Sequence, residues 1–379
     1  MEQRQTPKAR AARRAEAAAK ETVKNRLLTN QRSRRKRLQR LKRKRFQRLR
    51  QKTLRRQKRT QRQRPNRGYM IDWRDITLQD KERIEARICA SGCHGADYGF
   101  ANLFIWRKAY RPKIAFCDDR LLVGMPQWNV YAYPKGDGEI RNSIELLMDE
   151  VHSLGNKLRI RGLTDKTLEE FLPLYGDRFE IIEDRDNADY IYTSAKLCDL
   201  PGRHLSSKRN HIKHFERNGP WEFHRIAAGS CGMFTSCEGG GCGKLSSIEE
   251  AKAFVDEFYK EKNDPDLVDE AGAIEEMFKH YETLGFLGGM LYQNGEPVAF
   301  TAGTKLDDEV FDTHFEKALP GVEGAYTMVN REFARLVKAE FPNIVAFNRE
   351  EDMGIEGLRK AKLSYHPDIL LMKYFAIEK

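Results

Sequence analysis

Twenty-eight Lys and Arg side chains against three Asp and Glu crowd the first 67 residues, and no other feature limits the folding of this chain so sharply. Of the 68 basic and 56 acidic side chains in all 379 residues, 40 and 53 are left for residues 68–379, so the net +12 joins an arm of +25 to a body of −13. Within Arg32–Arg64 the apolar interruptions Leu38, Leu41, Phe46, Leu49 and Leu54 scatter over more than a third of a helical turn and mark no stripe to bury. Residues 1–67 are therefore expected to be a low-complexity, highly basic arm that is disordered or forms a solitary helix until an anion neutralises it. Its expected partner is tRNA or other RNA, whose phosphates release counterions on contact. An anionic membrane surface comes second. A rival reading stands beside both: composition turns ordinary at Tyr69-Met70-Ile71-Asp72-Trp73, and a start at Met70 would leave the arm untranslated.

The body has the length of two domains. No run reaches the ~18–20 apolar residues of a membrane-spanning helix, and no apolar signal core follows Met1. Seven cysteines, an odd number in a long chain, argue against a disulfide framework. A cytoplasmic protein with reduced thiols is expected.

In the second half, Gly288–Gln293 and Pro297–Gly303 flank Asn294-Gly295, a strong hairpin signal. A third strand is expected at Val310–Phe315, then the loop Leu319-Pro320-Gly321-Val322-Glu323-Gly324, and then an amphipathic helix over Ala325–Glu340. Ile344–Phe347 reads as a strand, Ile355–Leu363 as a helix and Ile369–Phe375 as a closing strand. The first half repeats the order: strands Lys113–Cys117, Leu121–Met125 and Trp128–Tyr133, a loop with Gly136 and Gly138, a helix through Ile144, Leu147, Met148 and Val151, strand Leu158–Arg161, helix Thr167–Tyr175, and strands Phe179–Ile182 and Tyr190–Ser194. The expected class is α/β (α+β), with domains at 70–205 and 206–379 and a Cys/Gly-rich loop at 229–247 in the second.

That order is similar to the GNAT acyltransferase fold, whose third strand leads to a glycine loop that cradles pyrophosphate at a helix N-terminus. The resemblance makes Gly136, Gly138, Gly321 and Gly324 candidate substrate-binding positions. The first loop has Tyr133 where the pattern has Gln or Arg, and Gly321-x-x-Gly324-Ala325 differs in spacing. Three further stretches resemble the soluble relatives of the phosphatidylglycerol lysyltransferase C-terminal domain: Phe100-Ala101-Asn102-Leu103-Phe104-Ile105-Trp106-Arg107, Leu200-Pro201-Gly202-Arg203-His204-Leu205-Ser206-Ser207-Lys208-Arg209-Asn210-His211, and the long run from Asn348-Arg349-Glu350-Glu351-Asp352 through Leu363-Ser364-Tyr365-His366-Pro367. The likeness covers Met70 to the C-terminus. It implies two GNAT-like domains in tandem, as in the Fem peptidyltransferases that draw on aminoacyl-tRNA.

The residues support that chemistry in their own terms. Arg203, Lys208, Arg209, His211, Lys213 and His214 cluster at the junction, with Ser206-Ser207 as an N-cap; cations in the first turns of a helix oppose its dipole unless they meet a phosphate. A solvated linker helix explains the same residues equally well. Glu350 and Glu351, adjacent on a strand-to-helix loop, can leave one carboxyl with a raised pKa that takes a proton from an attacking amine; Glu350 is the first candidate base, Glu316 the second, and Asp352 is expected to cap the helix. Asn348 joins them as a candidate catalytic residue, and Arg349, Lys360, Lys362 and Tyr365 as substrate-binding ones. Expected donors are aminoacyl-tRNA or a coenzyme A thioester, so the function classes are aminoacyltransferase, acetyl-CoA-dependent N-acetyltransferase, and non-catalytic RNA-binding protein. No metal is expected: the x5 and x4 spacings of Cys231, Cys237 and Cys242, with His224 upstream, miss the usual zinc pattern, and Cys89, Cys93 and His94 read as packing at a helix end.

Overall fold

A computed structural model describes residues 71–92, 94–227, 244–262 and 268–379. The basic arm and most of the Cys/Gly-rich loop, with Cys231, Cys237 and Cys242, lie outside them. The chain begins with β1 (Arg74–Asp75), α1 (Lys81–Ser91), α2 (Phe100–Ile105) and α3 (Arg107–Tyr110), then β2 (Lys113–Cys117), β3 (Arg120–Met125), β4 (Val130–Ala132) and β5 (Lys135–Gly136). It continues through α4 (Ile140–Ser153), β6 (Arg159–Leu163), α5 (Asp165–Tyr175), β7 (Phe179–Glu183), β8 (Asp189–Thr193), α6 (Ser194–Asp199) and α7 (Ser206–Arg217). After β9 (Trp221–Ala227) and β10 (Leu245–Ser247) come α8 (Ile248–Lys262), α9 (Val268–Lys279) and α10 (Tyr281–Leu284). The remainder is β11 (Leu287–Gln293), β12 (Glu296–Lys305), β13 (Val310–Ala318), α11 (Ala325–Glu340), β14 (Ala346–Asn348), α12 (Glu356–Leu363), β15 (Ile369–Leu371) and β16 (Tyr374–Glu378).

Two sheets result, each built from a hairpin, a third strand, a helix and a strand parallel to the third. The first runs β1-β2-β3-β4-β6-β16-β7, with β5 on β3; the second runs β10-β9-β11-β12-β13-β14-β8-β15. The β11–β12 hairpin turns at Asn294 and Gly295, both at positive φ, as a tight turn matched to strand twist requires. The sheets exchange strands across the expected division at 205/206: β8, from the first half, pairs with β14 and β15, and β16, from the second, pairs with β6 and β7. The stretch expected as one closing strand over Ile369–Phe375 therefore breaks into β15 and β16, which belong to different sheets.

Each sheet buries an amphipathic helix. Ile140, Ile144, Leu147, Met148 and Val151 of α4 pack with Phe171 of α5 and Phe179 of the first sheet. Met328, Val329, Phe333, Leu336 and Val337 of α11 pack with Phe311 and Phe347 on the second. A third cluster joins the halves, where Phe100 and Phe104 of α2 meet Met277 and Phe278 of α9 and Phe300 and Phe315 of the second sheet. Each such buried side chain contributes roughly 1.5–3 kcal/mol, so the junction is held as firmly as either half.

The loop that the first glycine pair was expected to open is filled. Gly136 pairs with Arg120 in the sheet, a Cβ there would lie 2.1 Å from the Asp119 carbonyl oxygen, and Arg120 Nε donates to the Gly138 carbonyl at 2.7 Å. Gly136 and Gly138, expected to approach a phosphate, here let the Asp119–Arg120 turn pack closely against them.

Candidate active site

Strands β13 and β14 pair only over Val310–Asp312 and Ala346–Asn348. β13 runs on to Ala318 while β14 stops at Asn348, so a wedge opens between them. At the mouth of that wedge β13 bulges. Thr313 pairs with Gly303 and Phe315 with Ala302, leaving His314 without a partner on β12. One extra residue reverses which face each later side chain takes: Phe311 lies in the α11-side core and Phe315 in the core between the halves. Asp312, His314 and Glu316, which plain alternation would put on one face, are thus divided. Asp312 and His314 turn toward the first half, and Glu316 turns toward α11.

The loop after β14 makes a matching division. Asn348 is fully buried; its Nδ2 donates to the His94 carbonyl (2.8 Å) and to Asp189 Oδ2 (3.0 Å), and its Oδ1 accepts the Glu350 amide (2.7 Å). With both ends of its amide engaged, Asn348 positions the loop. Lys362, buried on α12, donates Nζ to the carbonyls of Arg349, Glu350 and Glu351. That ammonium, expected to meet substrate, here clamps the loop. Glu350, at φ +54°, then sends its side chain away from that of Arg349.

On the α11 side Arg349 Nη2 donates to Glu316 Oε1 at 2.8 Å, and Glu316 Oε2 accepts Asn330 Nδ2 of α11 at 3.0 Å. The Arg349 guanidinium lies 5.1 Å from the Tyr365 ring centroid and 5.8 Å from that of Tyr192, and Lys208 Nζ lies 4.0 Å from the Tyr365 ring. Arg349 Nη1 is buried and has no hydrogen-bond partner among the described residues. Burial, with the neighbouring Arg349 charge, lowers the Lys208 pKa to about 8 against the opposing pull of Glu316. Burial raises the Tyr365 phenol to about 12.

On the opposite side His314 Nδ1 lies 3.0 Å from Glu350 Oε1 and 3.5 Å from Asp312 Oδ2, while Asn102 Nδ2 of α2 donates to Glu350 Oε1 at 3.3 Å. Lys373, buried between β15 and β16, donates to Asp189 Oδ1 at 2.6 Å and pairs with Asp97. Burial raises the Asp312 carboxyl well above its ordinary value, with the charges of Glu350, Asp189 and Glu351 adding to the effect. Burial raises the Glu351 carboxyl to about 8; Lys373 opposes, and Asp97, Glu350 and Asp189 add to the rise. Asp352 does not cap α12, whose N-cap is Ile355. It is buried against Arg185, Arg359, Tyr190 and the Gly354 amide, which hold its carboxyl below the usual range despite burial.

The junction cluster disperses. Leu205, not a serine, occupies the N-cap of α7. Only Lys208 reaches the Tyr365 group. Arg209 donates to the carbonyls of Leu200 and Gly202, His211 and His214 face Glu323, and Arg203 sits in the exposed turn before the helix. Lys360 is exposed on α12. Gly324, at φ +85°, caps α11; a Cβ there would lie 2.3 Å from the His211 carbonyl oxygen, so this glycine lets α7 cross the start of α11. Gly321 borders open space. Sequence reasoning missed Lys373, Asp189, Asp312 and His314. The Asp-x-His-x-Glu spacing was the available signal, but its division across two faces depends on register with β12.

Residues 91–377 match the family described as phosphatidylglycerol lysyltransferase, C-terminal. The chain belongs to that family. A conserved protein of unknown function from Bacteroides thetaiotaomicron is 33% identical, with a TM-score of 0.71 over 82% of this chain and 100% of its own. FemX, at 9% identity and TM-score 0.51, is matched over 80% of this chain and 97% of its own. A domain of Agrobacterium fabrum assigned to the C-terminus of a lysylphosphatidylglycerol synthetase, at 12% identity and TM-score 0.50, is matched over 79% and 92%. No curated protein matches the chain. The two sheets have the tandem GNAT-like arrangement. Among the described residues no helix is long and apolar enough to cross a membrane.

Proposed function

We propose that this chain transfers an aminoacyl group from aminoacyl-tRNA to an amine or hydroxyl acceptor, in the wedge between β13 and β14. The observation that carries the reading is the placing of Lys208 and Arg349 around Tyr365, where two cations face one carboxylate and a buried guanidinium nitrogen is unsatisfied. Such a group favours a phosphodiester or a carbonyl oxygen gaining negative charge. Membership of an acyltransferase family supports the reaction class, and α11, with no side-chain cap at its start, offers main-chain amides to the same anion.

In this mechanism Arg349 and Lys208 hold the donor and the acceptor nitrogen attacks the ester carbonyl carbon. The C–N bond forms, the C–O bond to the ribose breaks, and the proton leaving nitrogen passes through Glu316 to the departing ribose oxygen. Positioning and charge stabilisation supply most of the acceleration, and no covalent nucleophile is needed. Glu350, the first candidate base on sequence grounds, gives way to Glu316 because it faces His314 on the far side of the bulge.

The test is incubation of the full chain with radiolabelled charged tRNAs and cell extract, beside a parallel reaction with acetyl-CoA. Label is expected to move from tRNA to an acceptor, with the rate falling at least about 100-fold in Arg349→Ala, as for loss of one transition-state donor. Transfer from acetyl-CoA alone would replace the donor, and salt-sensitive RNA binding without turnover would replace the reaction.

A further inference from the structure

We infer that Asp312, His314 and Glu350 form a binding site for one divalent transition-metal cation of the zinc class, where the two halves meet. This inference does not rest on the transfer reading, because the three side chains lie across the bulge from Lys208 and Arg349.

The geometry supplies the first argument. One ligand atom from each residue falls within 4.8 Å of the others, with His314 Nδ1 3.0 Å from Glu350 Oε1 and 3.5 Å from Asp312 Oδ2. Bonds of about 2.0–2.2 Å to nitrogen and oxygen space ligand atoms by roughly 3–3.5 Å, so a cation fits among them with small adjustments of the side chains.

Asp312 supplies an independent argument. Its side chain is fully buried, and neither carboxylate oxygen has a hydrogen-bond partner among the described residues. Buried carboxylates are almost always paired, hydrogen-bonded or metal-bound. Lys373, the buried ammonium nearby, is already committed to Asp97 and Asp189.

The surroundings suit a ligand set. His314 Nε2 lies 2.9 Å from Thr304 Oγ1, a partner that fixes the ring and leaves Nδ1 for the cation. Asn102 Nδ2 donates to Glu350, which is 21% exposed and gives the ion a way in. One imidazole with two carboxylates suits zinc, cobalt or manganese; magnesium and calcium prefer oxygen alone.

The experiment uses the full chain, stripped with chelator and titrated with Zn2+ by calorimetry. One equivalent is expected to bind with a rise in Tm, and Asp312→Asn and His314→Asn should each weaken binding at least about 100-fold, beyond the 10–100-fold that loss of an outer partner brings. Replacing Cys231, Cys237 and Cys242 by serine should leave that equivalent in place. Co2+ bound to the unmutated protein gives visible bands without thiolate charge transfer if the site is this one, and that spectrum decides even if the variants fail to fold. Absence of stoichiometric binding, or binding with thiolate charge transfer that disappears in the serine variant, overturns the inference.

Discussion

Lys208 and Arg349 differ in what pH does to them. Arg349 keeps its charge throughout: burial works against it, and Glu316, Tyr192 and Tyr365 together more than offset that effect. Lys208, with its pKa lowered to about 8, loses its charge as pH rises through that value. An anionic donor held by both cations should therefore bind well below pH 8 and progressively less well above it. The expected result is a KM for charged tRNA that climbs on the alkaline side in the unmutated protein and stays flat across the same range in Lys208→Arg. An alkaline limb surviving in that variant would remove Lys208 from donor binding. The sequence shows Lys208 only as one of six basic residues near α7. Nothing local separates it from Arg209, which spends its guanidinium on two carbonyls; the difference comes from Tyr365, more than 150 positions away.

Elements whose causes are local were legible, and those fixed by distant partners were not. The Asn294-Gly295 hairpin and the Ala325–Glu340 helix answer to turn chemistry and 3.6-residue periodicity, and both lie where those signals put them. The bulge at His314 answers to β12, and no pattern within β13 announces it. The break between β15 and β16 answers to Lys373, which must reach Asp189 on β8 and Asp97 ahead of α2, so the chain leaves one sheet and enters the other around that residue. Helices α8 and α9 fall in a stretch where sequence reasoning placed no element. Lys373→Met is expected to destabilise the protein by about 3–5 kcal/mol, since it leaves the buried Asp189 carboxylate without its cation and Asp97 with Arg161 alone. Chemical denaturation measures this, and a loss under about 1 kcal/mol would show that the ion pairs do not hold the crossover.

At the scale of the whole body, residues 68–379, two halves with similar order could have been two independent domains, and composition and periodicity gave no reason to prefer otherwise. The exchange of β8 and β16, with the shared cluster around Phe104, Met277 and Phe300, makes each half incomplete without the other. Residues 70–205 and 206–379 produced separately are expected to lack cooperative unfolding, and mixing them should restore a single transition followed alike by far-UV circular dichroism and tryptophan fluorescence. A cooperative transition in either fragment alone would show that the exchange is dispensable. The same exchange sets a timetable for synthesis. The first sheet has a gap between β6 and β7 until residue 378 has emerged from the ribosome, so this half must wait, partly open, until β16 has been made.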